Sequence, residues 1–443
     1  MTQFEPTIFS SHAAIHGDEL QIAGLSASAL AAEFGTPLFV VDEADFKERA
    51  LAWKSALNGA FGAHAGTVYY AGKAFLCKEV ARWINECGIG LDVCTGGELA
   101  VAASVNFPFD RVEVHGNNKS EVEIRTAIEL GAGTIVLDSF FEIERVALIA
   151  SEIGRIQRVY IRVTPGVEAH THEFISTAHE DVKFGFSIAN GSAWSAIEKV
   201  RQASSLDLVG LHSHIGSQIF VSEGFAAAAK KLITLLAEVK DAYGAELPEL
   251  DLGGGYGIAY VAGEKTLDPV TVMTELAAVV TDACASAKIE VPRISIEPGR
   301  AIVGPTTTTL YTVGTTKDVH LDGGATRRYV AVDGGMSDNI RPSLYGAQYY
   351  AVIANRDSDA PLVNSRIVGK HCESGDILIS QIELASDLTP GDLLAIPATG
   401  AYGRSMASNY NHTPRPAVIA VIDGQGRIIV RRETESDLLA LDL

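Results

Sequence analysis

Between residues 65 and 300, apolar and polar positions follow one repeating pattern. A short β-branched apolar run ends in polar or glycine-rich residues, and a longer stretch rich in Ala, Leu, Glu and Lys follows at helical spacing. The runs are TVYYAGK (67–73), GIGLDVC (88–94), RVEVHGN (111–117), GTIVLDS (133–139), RVYIRVTPG (158–166), LVGLHSHIGS (208–217), ELDLGGGYG (249–257) and RISIEPGR (293–300). Intervening segments such as CKEVARWINECG, EVEIRTAIELG and SEGFAAAAKKLITLLAEVKDAYG each end near a glycine, as helices do. Strands alternating with helices predict right-handed crossovers and a parallel sheet. Eight such units over about 250 residues predict a (β/α)8 barrel in preference to a doubly wound open sheet.

After residue 305 the period shortens. TTTTLYTVGTTKDVHL, RRYVAVDGG, SRIVGKHCESGDILI, DLLAIPATGAY, RPAVIAVID and RIIVRRE are alternating runs broken by turn residues. They predict antiparallel strands. The expected organisation is α/β plus all-β: a TIM-like barrel over 43–309, and an antiparallel β-sandwich or barrel built from 1–42 and 310–443. A possible strand, DELQIAG, and a short helix before Asp42 join the β domain.

Composition narrows the function classes. A chain of 443 residues suits two domains, and 47% hydrophobic with 20% charged residues describes a globular protein. The formal net charge of −20 argues against nucleic acid as a partner. The N-terminus lacks a basic and then apolar signal pattern, and no uninterrupted apolar run reaches membrane-spanning length. Five scattered cysteines suit a reducing cytoplasm better than a disulfide framework. Cys77, Cys87, Cys94 and Cys284 lie in apolar, patterned surroundings, whereas Cys372 lies in a Gly- and Ser-rich stretch.

In a (β/α)8 barrel, chemistry gathers where the strands end. Those ends carry Lys73, Asp92, His115 with Asn117 and Asn118, Asp138, Arg162, His214 with Ser217, Gly253–Gly255, and Glu297 with Arg300. Packing alone would put Val, Ile or Leu there. The glycine run fails the dinucleotide fingerprint, since Ile258 stands where the last glycine belongs, but a glycine turn after the seventh strand suits a small phosphate. A lysine, a phosphate nest, a histidine and a carboxylate together match the needs of pyridoxal phosphate. Lys73, buried so that its amine is neutral, would bond the aldehyde, Glu297 would hold the ring nitrogen protonated, and His214 would stack on the ring.

The motifs YYAGKAF, LDVCTGGEL, GLHSHIGSQ, LDLGGGYGIAY, EPGRAIVG, DGGMSDNIRPSLYG, HCESGDIL and GAYGRSM, in this order, make the chain resemble the diaminopimelate decarboxylase family. The resemblance runs through essentially the whole sequence. It implies pyridoxal 5'-phosphate as cofactor and meso-diaminopimelate as substrate, decarboxylated at its D-centre to L-lysine. It further implies that Lys73 carries the cofactor, with Asp92, Glu98, His214, Ser217, Gly254, Gly255, Glu297, Gly299, Arg300 and Tyr402 around it. Arg300, Arg341, Tyr345, Glu373 and Tyr402 match substrate-binding positions, and Cys372 matches the proton donor. The resemblance also implies a homodimer in which the partner subunit delivers Cys372; sequence alone leaves delivery within one chain open.

Other readings keep parts of this pattern. A decarboxylase of the same fold acting on ornithine, arginine or a carboxylated polyamine would share the cofactor and differ in the distal pocket. A Schiff-base aldolase would need the lysine without the cofactor, and a carrier would bind the cofactor without releasing CO2. His170, His172 and His179 crowd the segment after the fifth strand, but their spacing matches no standard metal site, and a polar loop is expected there with no metal.

Overall fold

Eight parallel strands close into a barrel in chain order: β1 (Ala65–Ala71), β2 (Gly90–Val93), β3 (Val112–Val114), β4 (Thr134–Leu137), β5 (Gln157–Thr164), β6 (Leu206–His212), β7 (Glu249–Asp251) and β8 (Arg293–Ile296). Closure runs through β8 against β1, where Ile296 pairs with Val68. The computed structural model describes residues 4–167, 183–220 and 222–443. His170, His172 and His179 therefore lie outside the described residues. Five of the eight strands fall within the apolar runs read from the sequence, and β1, β5 and β6 begin one or two residues before theirs.

The turns out of the strands explain why helices begin where they do. Thr95, Ser120 and Ser139 each accept a hydrogen bond from the amide three residues on, capping the helices Gly96–Ser104, Glu121–Leu130 and Phe140–Ile153. Gly131 and Gly154 end two of these helices in the left-handed conformation that a Cβ disfavours. The helix Pro269–Ala287 is long and apolar enough, by length and composition, to cross a membrane, which the sequence reading did not expect. It is instead the crossover between β7 and β8. It packs on Ser222–Tyr243 and buries Val272, Met273, Leu276, Val280 and Cys284.

Two compact units emerge, one of residues 49–257 and 267–299, the other of 1–48, 258–266 and 300–443. The expected barrel limits were 43 and 309. Residues 258–266 belong with the β unit because Ala259 is packed into its core with Leu38, Val40, Leu310, Leu393 and Ile419. The β unit's large sheet runs through Ile377–Ala385, Leu362–Val368, Thr326–Val332, Thr307–His320, Leu38–Asp42, Ala417–Ile422 and Gln425–Val430. Leu38–Asp42, buried at every position, is a strand the sequence reading did not pick out. Glu19–Ile22 instead forms a small meander with Ala13–His16 and Leu25–Ser26.

The expectation of a purely antiparallel sheet needs correction. Leu38–Asp42 pairs in parallel with Ala417–Ile422, and Thr326–Val332 with Leu362–Val368. Parallel pairing needs a long connection, and both pairs are joined by chain far longer than a hairpin turn.

Candidate active site

Lys73 stands just past the end of β1, between buried Ala71 and Ala74. Its side chain is 41% exposed, with Nζ 3.9 Å from Oδ2 of Asp92 on β2. The sequence reading expected this lysine to be buried, and that expectation is corrected. The turn after the strand lifts the side chain to the open carboxyl rim, while Asp92 beneath it is fully enclosed. Burial pushes the Asp92 carboxyl above the usual carboxylate range, against the pull of His115 and Lys73. Glu98 faces its own strand end, accepting from the amide (2.6 Å) and thiol (3.3 Å) of Cys94.

Below Lys73 lies a cluster of acids and imidazoles. Glu297, which follows β8, has its Oε1 2.9 Å from Nε2 of His212 and 3.2 Å from Nε2 of His115. The same nitrogen of His115 lies 3.7 Å from both Asp92 and Glu113. Burial alone would raise the Glu297 carboxyl, yet His115 and His212 bring it well below the ordinary range. Burial would discharge His115, but Asp92 and Glu297 overcome it and hold its pKa well above the normal imidazole value. His212 goes the other way, to about 4, because burial prevails over Glu297. His214, half-buried after β6, is also held well below its ordinary value by burial and by Lys73.

The glycine turn after β7 brings three loops together. A Cβ on Gly253 would meet the Ser213 carbonyl oxygen at 2.5 Å, one on Gly254 that of Glu297 at 2.2 Å, and one on Gly255 that of Gly216 at 2.2 Å. The amide of Gly253 donates to Asp251 (2.7 Å) and that of Gly254 to Nδ1 of His214 (3.1 Å). The turn therefore fixes His214 and the strand-end backbone as well as shaping a cradle. Ser217 is half-buried in the loop that includes Gly216. Gly299 is pressed against β1, with Ala71 Cβ 2.7 Å from where its own Cβ would be.

Within the β unit, Arg300 and Arg341 are both buried and share Tyr260. Arg300 donates to the Tyr260 hydroxyl, Arg341 donates to that of Tyr349, and the Arg341 guanidinium lies 4.6 Å from the Tyr260 ring centre. The two cations outweigh burial and lower the Tyr260 pKa. Arg300 also lies over the ring of Tyr402, at 4.8 Å. Tyr402 has φ of +61°, a strained conformation for a bulky residue and one that clusters at functional sites. Tyr345, half-buried, ends the short helix Arg341–Tyr345.

Cys372 and Glu373 are exposed in the segment 371–376. This segment is tied down at both ends. Asp376 accepts from the amides of His371 (2.8 Å) and Met336 (2.6 Å), and His371 Nε2 lies 2.8 Å from the Ser337 hydroxyl.

These residues fit pyridoxal phosphate on grounds internal to the chain. An amine at the rim adjoins a floor of buried polar atoms, among them Asp92 Oδ2, Ser213 Oγ and Glu297 Oε1, that lack an aligned hydrogen-bond partner among the described residues. Such atoms are costly to bury unless something completes them. The model of the pyridoxal-dependent decarboxylase, pyridoxal binding domain matches residues 43–304. The diaminopimelate decarboxylase of Mycobacterium tuberculosis is 53% identical over 426 residues, covering 95% of this chain and 94% of its own, and that of Bacillus subtilis is 47% identical, covering 97% and 96%.

The chain belongs to the diaminopimelate decarboxylase family. A crystal structure of diaminopimelate decarboxylase from M. jannaschii in co-complex with L-lysine is similar to the whole fold, with a TM-score of 0.89, 31% identity and 98% of each chain covered. Family membership makes pyridoxal phosphate the cofactor and decarboxylation the class of reaction. Sequence reasoning had singled out most strand-end residues of this decarboxylase fold. It passed over Glu113, His212, Asp251, Tyr260 and Tyr349. Glu113 was signalled by one acid between two valines of a three-residue buried strand.

Proposed function

We propose that this chain decarboxylates meso-diaminopimelate at its D-centre, giving L-lysine and CO2, with pyridoxal 5'-phosphate held by the barrel. The observation that carries the substrate choice is the buried Arg300–Tyr260–Arg341 cluster of the β unit. A substrate whose far end bears a carboxylate gives a buried guanidinium a bidentate partner, whereas ornithine offers only an amine there. Glu373 would take the distal ammonium, and Tyr345 and Tyr402 would border the substrate.

When bound, the cofactor supplies an electron-accepting ring for the pair left behind as CO2 departs. The chain's residues do the rest. Lys73 carries the cofactor at its amine, and the nearby Asp92 carboxyl helps set the protonation of that nitrogen. His214, neutral by burial, offers a flat apolar face to the ring. Gly254, Gly255, Ser217 and Gly299 with Arg300 would hold the phosphate end. Glu297 keeps a negative charge facing the ring nitrogen, and the Cys372 thiol donates the proton that replaces CO2.

The proposal includes a homodimer in the cytoplasm, with Cys372 supplied by the partner. Release of CO2 and L-lysine from meso-diaminopimelate, compared with turnover of ornithine and arginine, tests the reading. Preference for either of the latter substrates overturns it.

A further inference from the structure

The acids below Lys73 are too many for the obvious cations. Asp92, Glu113, Asp251 and Glu297 are all buried, on β2, β3, β7 and just past β8, and one oxygen each of Glu113, Asp251 and Glu297 fit within 4.8 Å of one another. Carboxylates this close in a low-dielectric interior cannot all ionise unless a positive charge is placed among them. Among the described residues, Arg162 and Lys73 are formal cations that act on these acids. Lys73 has its Nζ 3.9 Å from Asp92, and its amine is the one committed to the cofactor. Arg162 faces Asp138, at 3.9 Å, with its guanidinium over Phe184.

His115 is placed differently. A single ring nitrogen, Nε2, reaches Glu297 at 3.2 Å, Asp92 at 3.7 Å and Glu113 at 3.7 Å. Its ring meets that of His212 edge-on, with centroids 4.9 Å apart, and His212 in turn touches Glu297. Of two neighbouring imidazoles only one can readily be charged. The one with three carboxylates within reach keeps the proton, and the one with a single acid partner stays neutral.

We propose that His115 is a positioning residue of the decarboxylation: an imidazolium wedged between Asp92, Glu113 and Glu297 that keeps Glu297 ionised at the cofactor's ring nitrogen. The inference rests on Glu297 as the acid facing that nitrogen. The charge on His115 lets Glu297 remain an anion among three other acids, and so keeps the ring nitrogen protonated and the electron sink strong. Neutral His212 keeps its Nε2 2.9 Å from Oε1 of the same carboxylate and limits its movement. Among the described residues, Asp92, Glu113, Glu297 and Asp251 favour the His115 proton and His212 opposes it, while Lys73 acts on its partner Asp92 and Arg162 on its neighbour His212. A His115 that merely filled space would leave the ring nitrogen as it is.

Two measurements on the intact holoenzyme decide the matter. In wild-type protein labelled with 15N-histidine, one imidazole remains doubly protonated at pH 8.5, far above the ordinary value of about 6.5. If every imidazole is neutral there, the proposal is overturned. The second compares His115→Gln and Glu297→Gln, each loaded with pyridoxal phosphate bearing 15N at the ring nitrogen. Both variants retain the borohydride-trapped adduct on Lys73, and both move the ring-nitrogen resonance toward the unprotonated position. For His115→Gln, kcat falls by at least about tenfold while KM changes less than about threefold. A protonated ring nitrogen with near-normal kcat in His115→Gln, alongside a shifted resonance in Glu297→Gln, refutes the role of His115 alone. An unshifted resonance in both refutes the role of Glu297 itself.

Discussion

Gly255→Ala isolates the geometry of the glycine turn from its chemistry. At this position φ is +113°, and a Cβ would lie 2.2 Å from the Gly216 carbonyl oxygen and 3.4 Å from Ile219 Cδ1. Forcing an L-residue into such a conformation costs about 1–3 kcal/mol, and overlap with a backbone atom that cannot swing aside costs about 1–3 kcal/mol more. Taken together the loss is about 4 kcal/mol, which for a unit of this size lowers Tm by about 8–16 °C. The overlap can relax only by parting the loops after β6 and β7, which carry Ser217 and Gly254. Pyridoxal phosphate affinity should therefore fall at least about tenfold as well. Gly244→Ala is the control: φ is +68° there but nothing lies within 4 Å of the added Cβ, so only about 1 kcal/mol is lost. Thermal unfolding and cofactor titration by absorbance read both effects. A Gly255→Ala protein with the Tm of the Gly244→Ala control and unchanged cofactor affinity would refute the reasoning.

Cys372→Ala should keep the cofactor's absorbance and lower kcat by about 10²–10⁴-fold, since only proton delivery is removed. Co-expressed with a Lys73→Ala chain it should recover about a quarter of wild-type turnover if the thiol crosses a two-fold interface, and none if it acts within its own chain. Arg341→Ala should lower kcat/KM for meso-diaminopimelate by about 10–100-fold with far less effect on cofactor affinity, because a charge-assisted bond to the distal carboxylate is lost; equal loss of both argues that Arg341 is structural. Asp338 is buried, and its carboxyl is pushed from 3.8 to about 7 by desolvation. The native state thus holds this proton more tightly than the unfolded chain, and the contribution is full below pH 4 and is lost as pH rises through about 7. Asp338→Asn should flatten that part of the stability–pH curve, by up to about 4 kcal/mol between pH 4 and 8 in urea unfolding; parallel curves would contradict it.

Much of the barrel was legible because the two periods, short apolar strand and longer amphipathic helix, recur from residue 65 to residue 300. Strand-end residues such as Lys73, Asp92 and Glu297 stood out because polar groups occupy positions where an apolar one would pack. The burial of Lys73 was misread. Sequence shows that a residue lies among apolar neighbours, but the turn after β1 decides whether its side chain follows them inward. Glu113, His212 and Asp251 were hidden for the opposite reason: each sits inside a strand, where a lone polar residue reads as an outward-facing position until the register is known. Tyr260 became significant only once residues 258–266 were seen to fold with the β unit, a detour no local pattern announces. The strand Leu38–Asp42 was missed because it stands alone, directly before a helix, and pairs only with strands more than 260 residues away.

Covalent attachment at Lys73 is the claim on which the rest depends. Reduction of the holoenzyme with borohydride, followed by proteolysis and mass mapping, should place the pyridoxyl group on the peptide containing Lys73, with no label in Lys73→Ala. A label on any other lysine, or an unlabelled wild-type chain, would contradict the account.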